Sequence, residues 1–251
     1  MGRARWLAEK EAEVAALRDL ALPEIVPSRR DFTQFVATQK QGLALVPRLQ
    51  RANPDTGGAW PALDVVGFAA CCDEADTAAI AVRTAAEFGM GVADLDAVRA
   101  AVSAPLLRDD LCLHRLQIYQ ARLRGADAVV LPAAELGAPA LRDLAAVAAS
   151  MHMASVVEVG TDAALATALD LPTACIGLSA AGPDGYADRS AVRGLAAQVP
   201  PRRTVLLLSE VAALDDLFEL GGLIDAAVVG DALLAAADPA AAIGAFLARA
   251  G

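Results

Sequence analysis

The chain has 251 residues, and its 21 Lys and Arg against 31 Asp and Glu leave a formal net charge of −10. This charge disfavours nucleic acid and anionic membranes as partners, because both require clustered basic residues. Hydrophobic residues make up 56% of the chain, but we find no charge-free apolar run of about 18 residues, the length of a membrane span. The N-terminal region has no apolar signal core, so we expect a cytoplasmic protein.

The cysteines and histidines give no sign of a metal site. Cys71, Cys72, Cys112 and Cys175 have no metal-ligand spacing, and we interpret all four as buried thiols of a reducing compartment. The chain also has no Gly-rich dinucleotide or P-loop fingerprint. The sequence therefore predicts neither a metal nor another cofactor.

In chain order, the first predicted element is an amphipathic helix over about residues 4–20, within an N-terminal extension of residues 1–42. After this extension, short runs rich in Val, Ile and Leu alternate with stretches of helical periodicity. The runs predict strands over 43–49, 78–82, 104–108, 127–131, 154–159, 174–178, 204–208 and 226–230. The stretches between and after them predict helices over 63–75, 94–102, 114–125, 139–150, 162–170, 189–198, 214–222 and 239–250.

Eight strand–helix units in about 210 residues are typical of a (β/α)8 TIM barrel. The runs are apolar throughout, as expected of parallel strands buried on both faces. We therefore predict an α/β protein in which residues 43–251 form the barrel and residues 1–42 form a helical extension packed on it, as a single domain overall. A doubly wound open sheet is the alternative, although the Gly-rich fingerprint that would favour it is missing.

In such a barrel the chemistry lies at the carboxyl ends of the strands. The candidate site residues near these ends are Arg48 and Gln50 in the first unit, Arg83 in the second, Asp109 in the third, Glu158 in the fifth, Ser179 in the sixth, Ser209 and Glu210 in the seventh, and Gly230 in the eighth. Arginines bind carboxylates well, and carboxylates can transfer protons. The alternative is an internal ion-pair network that fills the barrel mouth. Asp110 is predicted to cap the following helix.

Several segments carry a family resemblance. They are VPRLQRANP (46–54), PLLRDDLCLHRLQIYQARLRGADAVVL (105–131), VVEVG (156–160), IGLSAAG (176–182) and DAAVVGDALL (225–234). In this order they resemble the indole-3-glycerol phosphate synthase family of the tryptophan pathway, over nearly the whole chain. The resemblance implies a TIM barrel. It also implies conversion of a carboxyphenylamino-deoxyribulose phosphate to indole-3-glycerol phosphate by ring closure, decarboxylation and dehydration.

Against this resemblance, several positions depart from the residues that the family uses. Arg48 stands in the place of a glutamate, Gln50 in that of a lysine, and Asp109 in that of a catalytic lysine. Ser179 and Ala181 replace an asparagine and an arginine. These departures remove the family's ammonium groups and reverse two charges.

Other positions keep the family's residue, and for one family residue the matching position is ambiguous. Glu158 holds the place of the fifth-strand base, and Ser209 that of the seventh-strand serine. Glu210 replaces the glycine that follows this serine, whereas Gly230 is kept. The seventh-strand glutamate falls on Leu208, or on Glu210 if the alignment shifts by two residues.

A general acid must hold a proton at the working pH and lie close to its target, and Asp109 and Gln50 do not supply the charge of a lysine. We therefore predict a neofunctionalised lyase or cyclase of specialised biosynthesis, acting on a small anionic, possibly aromatic substrate. Glu158 and Asp109 would be catalytic, and the other candidates would bind substrate. The alternatives are an inactive barrel that binds a ligand or partner protein and, ranked last, the authentic synthase. We expect a monomer or homodimer.

Overall fold

The computed structural model describes residues 2–18, 23–38, 42–172 and 175–250. The barrel strands are β1 (Ala44–Leu49), β2 (Ile80–Arg83), β3 (Leu106–Asp109), β4 (Ala128–Pro132), β5 (Ala154–Val159), β6 (Cys175–Leu178), β7 (Thr204–Leu207) and β8 (Ala226–Val229). The α-helices are α1 (Gly2–Leu17), α2 (Phe32–Thr38), α3 (Val65–Glu74), α4 (Val92–Ala101), α5 (Arg115–Leu123), α6 (Ala133–Ser150), α7 (Asp162–Leu169), α8 (Arg189–Ala196), α9 (Asp231–Leu234) and α10 (Pro239–Ala250).

The eight strands run parallel and close into a barrel, in which β1 pairs with both β2 and β8. Together with the alternating helices, this closure confirms the predicted (β/α)8 fold. A second, two-stranded sheet pairs Ala52–Asn53 with Gly58–Ala59 in the loop after β1. All carboxyl ends of the parallel strands therefore meet at one mouth.

Two hydrophobic layers follow from the alternation of side chains along each strand. In β1, Leu45 and Leu49 belong to the layer between strands and helices, whereas Val46 belongs to the cluster that fills the barrel interior. Arg48 follows Val46 by two residues, so it extends the inward row to the mouth. In β3, Leu107 belongs to the interior cluster, and Asp109 follows it by two residues on the same inward side at the end of the strand.

The helix α1 is tied to the carboxyl end of β3 by buried polar contacts. Lys10 Nζ donates to Asp110 Oδ2 at 2.7 Å, and Trp6 Nε1 donates to Asp110 Oδ1 at 2.7 Å. Arg108 completes the cluster, with Nη2 at 2.9 Å from Asp110 Oδ2 and 2.6 Å from Glu13 Oε1. The prediction that Asp110 caps the next helix is therefore wrong, because its carboxylate is engaged by these buried donors.

The cap of α5 is provided by His114, whose Nδ1 accepts a hydrogen bond from the Leu116 N–H at 3.2 Å. Cys72, Cys112 and Cys175 are buried as predicted, but Cys71 is exposed, because it lies on the outer face of α3. Among the residues that the structure describes, no helix is long and apolar enough to cross a membrane.

The element boundaries differ from the predicted ones mainly where the chain changes direction. The helix α6 begins at Ala133 rather than at residue 139 and contains a break at Gly137, which has φ +66°. Residues 214–220 form a 3-10 helix instead of an α-helix. Two predicted positions lie outside the described residues, namely the end of the first helix at 19–20 and the start of the sixth strand at 174.

Candidate functional site at the barrel mouth

The mouth of the barrel is lined by inward-facing polar residues from several strands. Arg48, Arg83, Asp109 and Glu158 come from β1, β2, β3 and β5 and line one cavity, together with residues of the later strands. The structure therefore brings these four predicted residues together, as the strand alternation required.

Arg48 is the centre of the charge network in this mouth. Its guanidinium is buried, and it donates from Nε to Asp109 Oδ2 at 2.6 Å, from Nη1 to Glu210 Oε1 at 2.8 Å, and from Nη2 to the Leu208 carbonyl at 2.7 Å. Burial lowers the pKa of Arg48, but Asp109 and Glu210 outweigh it and raise the pKa above its usual value. Arg48 is thus held by the chain's own carboxylates.

Arg83 lies beside this network and is less fully engaged. Its Nη1 lies 3.5 Å from Asp109 Oδ1, and its guanidinium lies over the rings of Phe88 and Trp6, at 4.3 and 5.1 Å from their centres. Within the described part of the chain, Arg83 Nε is buried and has no hydrogen-bond partner. Burial and then the charge of Arg48 lower the pKa of Arg83. This arginine has donor capacity to spare for an anionic group in the mouth.

Glu158 reaches the mouth from β5, where it lies opposite Pro132 of β4 and Gly177 of β6. It is half-buried, and its charge acts on Arg83. A carboxylate at this position can accept a proton from a ligand held by that arginine.

Gln50 and Asp231 form a second polar group, where β1 and β8 meet. Gln50 Nε2 donates to Asp231 Oδ1 at 2.7 Å, and Asn53 Nδ2 and Thr56 Oγ1 donate to the same carboxylate. Burial and then Glu210 raise the pKa of Asp231. Asn53 and Thr56 could not be predicted as part of this group, because nothing in the sequence of the loop after β1 indicates a partner near residue 231.

Glu210 joins the two groups. Its Oε2 accepts from the backbone N–H groups of Gly230 and Asp231 at 3.0 and 3.1 Å, while its Oε1 accepts from Arg48 and from Gln50 Nε2. The side chain is buried, with 4% of the residue exposed. The structure therefore places the carboxylate of Glu210 on the two N–H groups that follow β8.

The remaining candidates lie in the same mouth. Ser179 follows β6 and Ser209 follows β7, and both line the cavity. Among the described residues, the buried Oγ of Ser209 has no hydrogen-bond partner. Leu208 belongs to the apolar interior of the barrel and packs where Gly177 has no side chain, since a Cβ there would lie 2.5 Å from Leu208 Cδ1. Glu210 lies above this apolar layer, at the level of the charges.

The cavity itself is small, about 100 Å³, whereas pockets for small molecules measure about 300–1,000 Å³. Two loops approach each other closely here. Gly185, in the loop after β6, has φ +83°, and a Cβ at this position would lie 2.6 Å from the Asp55 carbonyl oxygen in the loop after β1. Asp55 and Gly185 both line the cavity, so the two loops meet beside it.

The chain is similar to known proteins over most of its length. The family model described as indole-3-glycerol phosphate synthase matches residues 1–246. The enzyme of that name from Mycolicibacterium gilvum is 33% identical over 240 residues, which cover 94% of this chain and 88% of the relative. The protein of that name from a Parafrankia species is 32% identical over 234 residues, covering 92% and 86%. Indole-3-glycerol phosphate synthase 1 of Streptomyces coelicolor is 31% identical, with 94% and 88% covered.

These comparisons contradict our prediction of a different lyase or cyclase, and that of an inactive barrel, because they favour the reading that we ranked last. The structure shows a physical reason why the departures from the family's residues were given too much weight in our prediction. The charges of Arg48 and Asp109 are both reversed relative to the family pattern, but the two side chains form an ion pair at 2.6 Å. The exchange therefore keeps an opposite pair of charges across the mouth.

Proposed function

Because the chain belongs to the indole-3-glycerol phosphate synthase family, we propose that it catalyses the reaction for which the family is named. In this reaction a carboxyphenylamino-deoxyribulose phosphate closes an indole ring and loses carbon dioxide and water. The proposal rests on the position of Glu158, which lines the mouth at the place where the family has its base. The match along residues 1–246 supports it.

Glu158 would act as the base of the dehydration. Loss of water requires removal of a proton from the substrate while the hydroxyl group leaves with another. Glu158 is half-buried beside the charge of Arg83, so it can take a proton from a substrate that this arginine orients. Asp109, which is held by Arg48 and Arg83, is the second carboxylate within the mouth and the candidate for the opposite proton transfer.

Arg83 would supply the positive charge that the family's lysines provide. Ring closure onto the carbonyl carbon of the substrate places negative charge on oxygen, and a cation fixed in a water-poor site stabilises such a charge. The free donor of Arg83 faces no fixed acceptor among the described residues, and arginine binds planar carboxylates well. We infer that Arg83 contacts the substrate's carboxylate or its developing oxyanion.

The other candidates would position the substrate. Ser179 and Ser209 offer hydroxyl groups from β6 and β7, and Ser209 has its Oγ buried in the mouth. Gln50 and Gly230 flank the place where β1 and β8 meet. The reaction is redox-neutral, so we propose that it needs no cofactor. We also propose that the protein acts in the cytoplasm.

The direct test is an assay of the purified chain with the carboxyphenylamino-deoxyribulose phosphate, followed by indole fluorescence. The wild type should form product, and Glu158→Gln should lower kcat by about 100-fold or more, as for the loss of a general base. Glu219→Gln is the matched control, because its carboxylate is on the surface near Arg189. Folded wild-type protein that forms no product, or a Glu158→Gln variant with the wild-type rate, would refute the proposal.

A further inference from the structure

We propose that Glu210 is an internal substitute for the substrate's phosphate and determines how strongly the mouth selects phosphorylated ligands. This inference rests on the proposed function, because it concerns the same mouth. The phosphate of a ligand can reach the N–H groups after β8 only when the carboxylate of Glu210 leaves them.

The geometry supports an anion position that the chain itself fills. Many TIM barrels bind phosphate with backbone N–H groups after the seventh and eighth strands. Here the N–H groups of Gly230 and Asp231 both point to Glu210 Oε2, at 3.0 and 3.1 Å. Glu210 comes from just beyond β7, so both strands that would hold a phosphate contribute to this contact.

Two buried side chains complete the position. Arg48 Nη1 and Gln50 Nε2 donate to Glu210 Oε1 at 2.8 and 3.1 Å, and these residues are 1% and 0% exposed. Gln50 Oε1 is also buried and, among the described residues, has no hydrogen-bond partner. The carboxylate therefore receives four donors, one of them charged, which is the environment that a phosphate oxygen would require.

A phosphate dianion cannot share this position with a carboxylate. Like charges in contact within a poorly solvated site repel one another, and Asp231 already adds a second carboxylate next to Glu210, because Gln50 Nε2 donates to both side chains, at 3.1 Å to Glu210 Oε1 and 2.7 Å to Asp231 Oδ1. The carboxylate of Glu210 therefore fills the position on these N–H groups that the phosphate of a ligand would need. We expect weak binding of phosphate by the wild type.

The experiment is a titration of the full chain with inorganic phosphate, against sodium chloride at equal ionic strength. Backbone amide resonances of Gly230 and Asp231 report binding at the position itself. In Glu210→Gly these resonances should shift with phosphate, and phosphate should bind at least about tenfold more tightly than to the wild type. Glu210→Gln keeps the side-chain size and should gain part of this affinity. Glu219→Gln, on the surface, should match the wild type.

The KM for the phosphorylated substrate should fall in Glu210→Gly by a similar factor. The inference is overturned if folded Glu210→Gly and Glu210→Gln bind phosphate no better than the wild type, or if the wild type shifts the same amide resonances with equal affinity. Failure of the proposed function has a different signature. In that case the variants gain phosphate binding at Gly230 and Asp231, but no variant forms product.

Discussion

The buried contact between α1 and β3 provides a quantitative test of how the barrel is held together. Asp110 accepts hydrogen bonds from Lys10 Nζ, Trp6 Nε1 and Arg108 Nη2 at 2.7, 2.7 and 2.9 Å. Asp110→Asn keeps the shape of this side chain but removes its charge. Lys10 and Arg108 are both 0% exposed, so the variant leaves two buried cations whose remaining carboxylates among the described residues, Glu9 and Glu13, are partly exposed.

Removing one partner of a buried ion pair costs about 3–5 kcal/mol, and we expect this loss in the free energy of unfolding, measured with urea at pH 7. Burial raises the pKa of Asp110, but Arg108 and Lys10 outweigh it and hold the pKa well below its usual range. The carboxylate therefore stabilises the fold above the unfolded pKa of about 3.9. This stabilisation is lost as the pH falls toward the lower folded pKa, so the difference between wild type and variant should shrink below about pH 4.

The matched control is Asp96→Asn, because Asp96 forms an ion pair with Arg124 on the surface, with side chains 45% and 44% exposed. This variant should cost less than about 1 kcal/mol. In addition, Lys10→Met should cost less in the Asp110→Asn background than alone, since the ammonium is then a buried charge without its main partner. Equal unfolding free energies for Asp110→Asn and Asp96→Asn would refute the reasoning.

Two further predictions concern the loops and the thiols. Gly185→Ala should lower the unfolding free energy by more than the ~1–2 kcal/mol of a left-handed backbone, because its Cβ would also meet the Asp55 carbonyl. Gly222→Ala, at φ +76° in open space, should show the backbone penalty alone, and equal losses would refute a loop contact. Native protein should react with a thiol reagent at Cys71 alone, since burial raises the pKa of Cys72 and Cys112 to about 12; peptide mapping that finds modified Cys112 in folded protein would contradict this.

The barrel could be predicted from the sequence because its signal is repeated. Each strand is a short apolar run, and each boundary error of one or two residues leaves the order of elements unchanged. The strand 154–159 and the helix 239–250 agree with β5 and α10. Alternation within the strands also placed Arg48, Arg83, Asp109 and Glu158 at one mouth, since the direction of a side chain follows from its position in the strand.

The partners of these side chains could not be predicted in the same way. The contact of Glu210 with Gly230 joins residues twenty positions apart in different loops, and no local pattern marks it. Likewise, the position of Trp6 in the mouth could not be predicted, because a weakly amphipathic helix does not reveal which of its residues faces the barrel. The hairpin at residues 52–59 has strands of only two residues, too short for a periodic signal.

The docking of α1 on β3 has a consequence for folding during synthesis. Lys10 and Trp6 find their partner, Asp110, 100 and 104 residues later in the chain. At about 5–20 residues per second, the ribosome takes several seconds to make this segment. Until then the Lys10 ammonium can pair with Glu9 and Glu13 of α1 itself but not with Asp110, so the docking of α1 belongs among the later folding steps, as for other contacts of large sequence separation. Burial of the Trp6 indole then reports that the β3 end of the barrel has formed.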